Sequence, residues 1–364
     1  MIAVSNAGTA RRPPVVVANG CESDPTSGKD SHLLHSAPHL VLDGLALAAH
    51  AVGADQAIVC LHRGDPLVEY VAAAMASRSD DPAEVRVVTV PARYVASEAS
   101  ALANYLTTGD ARPTSSPPWP SEQGVQDRPT LVDNVETLAH LALITRHGAD
   151  WFRSRGTENS PGTTLVTVGG AVCGPGVYEV DLGMPIGQLL WLAGGTPIPA
   201  QALLLGGLGG RWLSMPSAVD RVLAYEDGSP AGAGLGLASL VALPATACGL
   251  RVTATILRYL AAESAGQCGP CMFGLPAIAE DVQALAQGGM DPALADRLRR
   301  RLEVIPRRGA CSHPDGAVRL AASALEVFHR DLTNHLHGRP CGALDSSTPP
   351  VLRELNPHPA QGWR

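Results

Sequence analysis

From Val15 to Val90 the chain alternates short β-branched runs with amphipathic stretches, and this alternation constrains its fold more than any other feature. Val15–Val17, Ala57–Leu61 and Val85–Val90 read as buried strands. His39–Val52 and Leu67–Ala76 carry apolar residues at helical spacing. Strands separated by helices of this length pair in parallel, because the crossover helix returns the chain to the same end of the sheet. The expectation is an α/β domain over residues 1–158, a parallel sheet covered by helices. Thr107–Arg128 is rich in Pro, Ser and Gly and too broken for a regular element; loops of that length commonly carry function, so it is expected to lie over a site.

After Gly162 the texture changes. Thr163–Val168 alternates, Pro175-Gly176 marks a turn, Val177–Val180 resumes a strand and Pro185–Leu192 reads as a short helix. A small β-grasp-like domain is expected over 159–225. The glycine run Gly206–Gly210 reads as a turn, because it lacks the rest of a phosphate-loop fingerprint. The region 226–340 is helical. Val252, Ile256, Leu257 and Leu260 share one face, as do Ile278, Val282 and Leu285, and Asp291-Pro292 supplies an N-cap with proline behind it. One final helix from about Asp315 to Leu336 completes a compact bundle of four, and 341–364 is a tail.

Composition excludes several classes. Apolar residues at 45% and charged ones at 17% describe a globular chain, and a net charge of −7 argues against a nucleic-acid surface. Lys29 is the only lysine, and the run Arg297, Arg299, Arg300 and Arg301 reads as a solvated helix face. The opening residues lack the apolar stretch of a secretory signal, and no run is long enough to span a bilayer. A cytoplasmic protein without direct membrane insertion is expected. Its eight cysteines are then reduced thiols or metal ligands, with Cys21, Cys60, Cys173 and Cys341 read as isolated, unremarkable thiols.

The sharpest chemical signal is Glu263-Ser264-Ala265-Gly266-Gln267-Cys268-Gly269-Pro270-Cys271, joined by Cys311 in Gly309-Ala310-Cys311-Ser312-His313. Two thiolates three residues apart, in a loop whose Gly and Pro turn backbone N–H groups inward, can hold a metal centre with a third arriving from another helix. Soft sulfur donors select iron–sulfur clusters or zinc; a redox dithiol is a further reading of Cys-x-x-Cys. A Cys3His zinc site of Cys268, Cys271, Cys311 and His313 is chemically sensible.

This segment resembles the NADH-binding, F-type flavoprotein subunit of complex I, also found in related hydrogenases and formate dehydrogenases. Members carry E-S-C-G-x-C-x-P-C and a distant fourth cysteine, and the four thiolates hold a [4Fe–4S] cluster. Cys268, Cys271 and Cys311 fall on three of those positions and Ala265 on the fourth. The resemblance thus implies a [4Fe–4S] cluster with one iron not held by cysteine, or a [3Fe–4S] cluster, with Cys248, Glu263 and His313 as candidates to complete the site.

The resemblance extends over most of the chain. Asn19 to Asp30 resembles the family's N-A-D-E-G-E-P-G-T-x-K-D, which implies that Asn19, Glu22 and Asp24 contact FMN and nicotinamide. Tyr94 to Ala99 resembles Y-I-C-G-E-E, retaining Tyr94 and Glu98. Trp119 falls where the family has an aromatic able to stack on the nucleotide, the alternative being loop packing. Arg128 to Thr137 resembles R-P-T-x-V-N-N-V-E-T and sets Asn134 beside the flavin, with Asp133 in place of an asparagine. The implied catalytic residues are Glu98 and Asp24, and the implied cofactor contacts are Asn19, Glu22, Tyr94, Trp119 and Asn134. No counterpart of the family's G-R-G-G-A-G-F-P loop, whose amides cradle the FMN phosphate, precedes Val15; the chain is expected to be shortened there, to receive that loop from a partner, or to bind FMN weakly. The implied activity passes electrons from NADH through FMN to an iron–sulfur cluster, with other redox subunits or a ferredoxin-like acceptor as partners. The competing expectation is a non-catalytic relay or scaffold that keeps a metal site.

Overall fold

The structure is a computed structural model that describes residues 1, 4, 12–78, 83–225, 234–288, 292–339, 341, 343, 347–358 and 362–364. Two compact units emerge: Met1–Ser23, Gly28–Phe152 and Pro359–Arg364 form the first, and Asp24–Ser27 with Arg153–His358 form the second.

In the first unit, β1 (Val15–Asn19), β2 (Gln56–His62), β3 (Glu84–Val90) and β4 (Thr130–Asn134) make one sheet in the order β3-β2-β1-β4. All three pairings are parallel, as the alternation required. Successive residues of β1 enter different cores. Val16 and Ala18 pack with Leu42, Leu45 and Leu138, whereas Val15 and Val17 pack with Leu102 and Val125. Burial on both faces is why β1 reads as an unbroken apolar run. The first core is covered by α1 (Lys29–Ser36), α2 (Pro38–Val52), α3 (Leu67–Ala76) and α5 (Val135–His147), and the second by α4 (Ala99–Thr108). At the opposite end from the strand C-termini, the buried Arg128 guanidinium donates to the carbonyls of Pro13 at 2.7 Å and Pro14 at 3.1 Å and pairs with Asp55. It ties the entrances of β1, β2 and β4 together. A short α6 (Ala149–Arg153) follows α5.

The second unit contains a sheet of β5 (Thr163–Gly170), β6 (Gly176–Asp181), β7 (Ala200–Leu205), β8 (Arg211–Ser214) and β9 (Ser239–Pro244), in the order β6-β5-β9-β7-β8. The first and last strands pair in parallel and the other pairs are antiparallel, which is the β-grasp arrangement. Alternate residues Val166 and Val168 of β5 point toward Ile186, Leu189 and Leu190 of α7 (Ile186–Leu192). Gly206–Gly210 is the turn between β7 and β8, as expected.

Helices α8 (Gly249–Ala262), α9 (Leu275–Ala286), α10 (Pro292–Val304), α11 (His313–Val327), α12 (His329–Leu336) and the short α13 (Pro350–Arg353) complete this unit. The apolar faces of α8 and α9 are buried where the spacing put them. The expected cap Asp291 lies outside the described residues. Trp212 of β8 is the link to the sheet: its Nε1–H donates to Thr253 Oγ1 at 3.0 Å, and its backbone N–H donates to Ser323 Oγ at 3.0 Å.

Two expectations are corrected. The single helix from Asp315 to Leu336 is broken at Phe328, whose ring packs edge-on against Trp212 at 5.1 Å and abuts Gly249 so tightly that a Cβ there would lie 2.3 Å from it. That buried ring, rather than any helix-breaking residue, ends α11. The arginine run is not wholly solvated either, because Arg297 and Arg301, one turn apart on α10, both bind the buried Asp281 of α9. Four residues of spacing put both guanidinium groups on one face.

Candidate functional site

The strand order has a chemical consequence. From β1 the chain moves outward through β2 to β3 on one side, then returns to place β4 on the other. The β1/β4 junction is therefore the topological switch point, where helices leave on opposite faces and a crevice opens at the carboxyl ends of the strands. Asn19 is the last residue of β1, Asn134 the last of β4, and the two are in register.

A polar network surrounds this junction. Asn134 caps α5 through the Glu136 N–H at 3.0 Å, accepts from Lys29 Nζ at 3.0 Å, and donates to Asp30 Oδ2 at 2.8 Å. Lys29 also reaches Asp30 at 2.6 Å and Glu136 at 3.0 Å. Burial opposes the Lys29 charge, but Asp30 and Glu136 outweigh it and hold the ammonium above its ordinary range. The same burial lifts the Asp30 carboxyl despite Lys29. Sequence patterns do not single out Lys29 as a site residue; the one available signal is that the only lysine of the chain precedes Asp30 in the first motif.

Asn19 donates from Nδ2 to the Ser97 carbonyl at 2.8 Å and accepts the Cys21 N–H at 3.2 Å, which joins β1 to the Tyr94–Ser97 turn. Next in the chain, Glu98 caps α4, its carboxylate accepting from the N–H groups of Ser100 at 2.9 Å and Ala101 at 3.1 Å and from the Ser100 hydroxyl. Glu22 caps α1 in the same manner, accepting from Asp30 N at 3.1 Å and Ser31 N at 3.0 Å. Asn19, Glu22, Tyr94, Glu98 and Asn134 thus belong to one hydrogen-bonded rim. Two of its carboxylates are occupied by helix N-termini, where carboxylate charge is favourable. Trp119 is not packed into its loop, since its residue is 59% exposed. Thr114, in that loop, is tethered to α4 through Ser100 Oγ.

Asp24 belongs to the second unit. It is 5% exposed, with Oδ1 accepting from the Thr26 N–H at 2.9 Å and the Thr26 hydroxyl at 2.7 Å, and Oδ2 accepting the Leu208 N–H at 2.7 Å. Gly207 lies at φ +85, and a Cβ there would sit 2.5 Å from Asp24 Oδ2. The glycine turn is shaped around a carboxylate of this chain.

In the helical region, Cys268 precedes a π-helical turn, Pro270–Gly274, that carries Cys271 and leads into α9; Cys311 precedes α11. Burial pushes the Cys271 thiol up to about 12, with Cys268 and Cys311 raising it further, while the Gly266 N–H donates to it. The three thiols are close enough to repel one another once ionised, and they have an inward-pointing N–H. That donor set fits an iron–sulfur cluster, which holds its thiolates farther apart than a single ion does. The candidates for completing it are otherwise engaged. His313 Nε2 donates to the Leu260 carbonyl at 2.8 Å, which takes that nitrogen out of a Cys3His zinc site. Glu263 is fully buried and accepts from His358. Cys248 sits instead with His335 and Cys341, so Cys341 is not an isolated thiol.

Comparison with known proteins agrees with this geometry. Residues 3–143 match the Nuo51 FMN-binding domain, 165–210 the SLBB domain, and 251–335 the NADH-ubiquinone oxidoreductase-F iron–sulfur binding region. The F-type subunit of NADH-quinone oxidoreductase from Streptomyces coelicolor is 32% identical over 346 residues, 91% of this chain and 77% of that protein. The alpha subunit of the NAD-reducing hydrogenase HoxS from Cupriavidus necator is 33% identical over 71% of this chain and 44% of its own length. Among solved structures, an NAD+-reducing [NiFe]-hydrogenase in the H2-reduced state superposes with a TM-score of 0.85 at 29% identity over 95% of this chain, which spans 61% of that one. A parallel sheet with its switch-point asparagines, a β-grasp sheet and a three-thiol helical region, matched in that order, place the chain in the family of F-type NADH-quinone oxidoreductase subunits.

Proposed function

We propose that this chain is the NADH-oxidising flavoprotein subunit of a larger redox assembly, holding FMN in the crevice between β1 and β4 and an iron–sulfur cluster on Cys268, Cys271 and Cys311. The observation that carries the reading is the in-register pair Asn19 and Asn134 at the switch point. Bound flavin supplies the exchange between a hydride and single electrons that a thiolate-held cluster accepts. Asn19 and Asn134 orient the flavin, with Lys29 holding the Asn134 amide in one sense. Tyr94, Glu98 and Glu22 line the rim on which nicotinamide docks, Trp119 offers an exposed face for stacking, and Asp24 fixes the glycine turn. Cys268, Cys271 and Cys311 hold a [3Fe–4S] cluster, or a [4Fe–4S] cluster with one iron left to a non-cysteine ligand.

We further assign partners of the same redox class, other subunits or a ferredoxin-like acceptor, and a cytoplasmic location. Among the described residues no helix is long and apolar enough to cross a membrane. The partition into 1–158, 159–225, 226–340 and a tail follows the three matched regions.

A second reading, a relay or scaffold without NADH turnover, is favoured by the carboxylates: Glu22 and Glu98 cap helices and Asp24 is buried. Iron, sulfide and flavin content of anaerobically purified protein, with NADH-driven dye reduction, separates the two. Iron, sulfide, flavin and turnover together support the enzyme. Iron and sulfide without flavin or turnover leave the relay.

A further inference from the structure

Apart from the three thiols assigned to the cluster, Cys248, His335 and Cys341 each bring one ligand atom within 4.8 Å of the others. Cys248 immediately precedes α8 and is 3% exposed, His335 lies in the last turn of α12 and is 5% exposed, and the half-buried Cys341 follows that helix. Nothing in their spacing joins them. His335 meets Cys248 across a separation of 87 residues in the chain.

The histidine is oriented for ligation. Its Nδ1 lies 3.1 Å from the Leu285 carbonyl on α9. A carbonyl oxygen can only accept, so Nδ1 carries the proton and Nε2 presents its lone pair. That Nε2 faces Cys248 Sγ at 3.9 Å. Bonds of about 2.3 Å to sulfur and about 2.0 Å to nitrogen put tetrahedral ligand atoms roughly 3.5–3.8 Å apart, so a zinc ion needs only small side-chain adjustments here. A backbone carbonyl on the remote nitrogen is the usual way a ligating imidazole is held in one tautomer. Two sulfurs and one imidazole are a donor set that zinc prefers over the hard cations.

We propose that Cys248, Cys341 and His335 Nε2 form a structural zinc site distinct from the iron–sulfur ligands, with water in the fourth position. Binding displaces the two thiol protons to solvent, and the two thiolates neutralise the cation. The site clips the end of α12 and the segment beyond it to the start of α8. It fastens the helical region at a point that the three cluster thiols do not reach in sequence.

The test is metal content of the full chain purified under reducing conditions, for the wild type, Cys341→Ser, His335→Gln and Cys271→Ala. The wild type is expected to carry about one zinc per chain beside its iron. Cys341→Ser and His335→Gln should lose zinc at least tenfold more readily to a chelator, with iron unchanged. Retained iron shows that those variants are folded. Cys271→Ala should lose iron and keep zinc. Cobalt substitution in the wild type adds a second reading, a thiolate-to-cobalt absorption that Cys341→Ser weakens. Zinc kept by Cys341→Ser and His335→Gln overturns the proposal. So does a wild type without zinc whose Cys248 and Cys341 form a disulfide in air, which makes the pair a dithiol.

Discussion

Asp133 stands in β4 next to Asn134, where the family pattern has asparagine, and burial lifts its carboxyl above the ordinary range. A folded-state pKa above the unfolded one means that the folded chain binds the proton more tightly. Ionisation therefore removes stability as pH rises from about 3.9, the unfolded value, through the folded one. Asp133→Asn abolishes that loss. The variant should melt above the wild type at pH 7, and the gap should close as pH falls toward 4; a gap of the same size at both pH values would show that charge is not its cause. Other single residues are legible in the sequence only in part. The amides Asn19 and Asn134 stand out through motif resemblance, but the roles of Glu22 and Glu98 as caps depend on which N–H groups the fold brings to them. Lys29 is the clearest omission, since its three partners come from two segments more than a hundred residues apart in sequence.

Among elements, α4 gives the sharpest test of a shared role. Glu98 accepts three hydrogen bonds at its N-terminus, so Glu98→Ala should cost about 1 kcal/mol and lower the melting temperature by about 2–4 °C. Glu98→Gln keeps an acceptor oxygen and should retain more than half of that stability. If the carboxylate also positions nicotinamide, both variants lose NADH-driven dye reduction although only Ala loses the cap. Wild-type turnover in Glu98→Gln would restrict Glu98 to capping. Helix and strand identities follow well from periodicity, because each element buries one face or both in a regular way. The break at Phe328 does not, since the ring that interrupts α11 and α12 is answering Trp212 and Gly249 rather than its neighbours in the chain. The arginine run misleads for the same reason: its helical spacing is plain, but the buried Asp281 that binds half of it comes from α9.

Over the whole molecule, the second unit depends on contacts between segments distant in sequence, and the cluster thiols are among them. Cys271→Ala leaves two thiolates, too few to retain a cluster, so iron per chain should fall to a small fraction of wild type and the melting temperature of the protein should drop. Unchanged iron and melting would remove Cys271 from the ligand set. The sequence alone determined the parallel α/β unit, the β-grasp strands, the helical region and the Cys-x-x-Cys loop, because each is written in local periodicity, turn residues or close spacing. Only the tertiary structure decided which carboxylates cap helices, which histidine nitrogen is committed, and that Cys248 and Cys341 meet at His335. Local patterning specifies how a segment buries its own surface; it carries no record of which distant donor or acceptor will lie against it after the cores have packed.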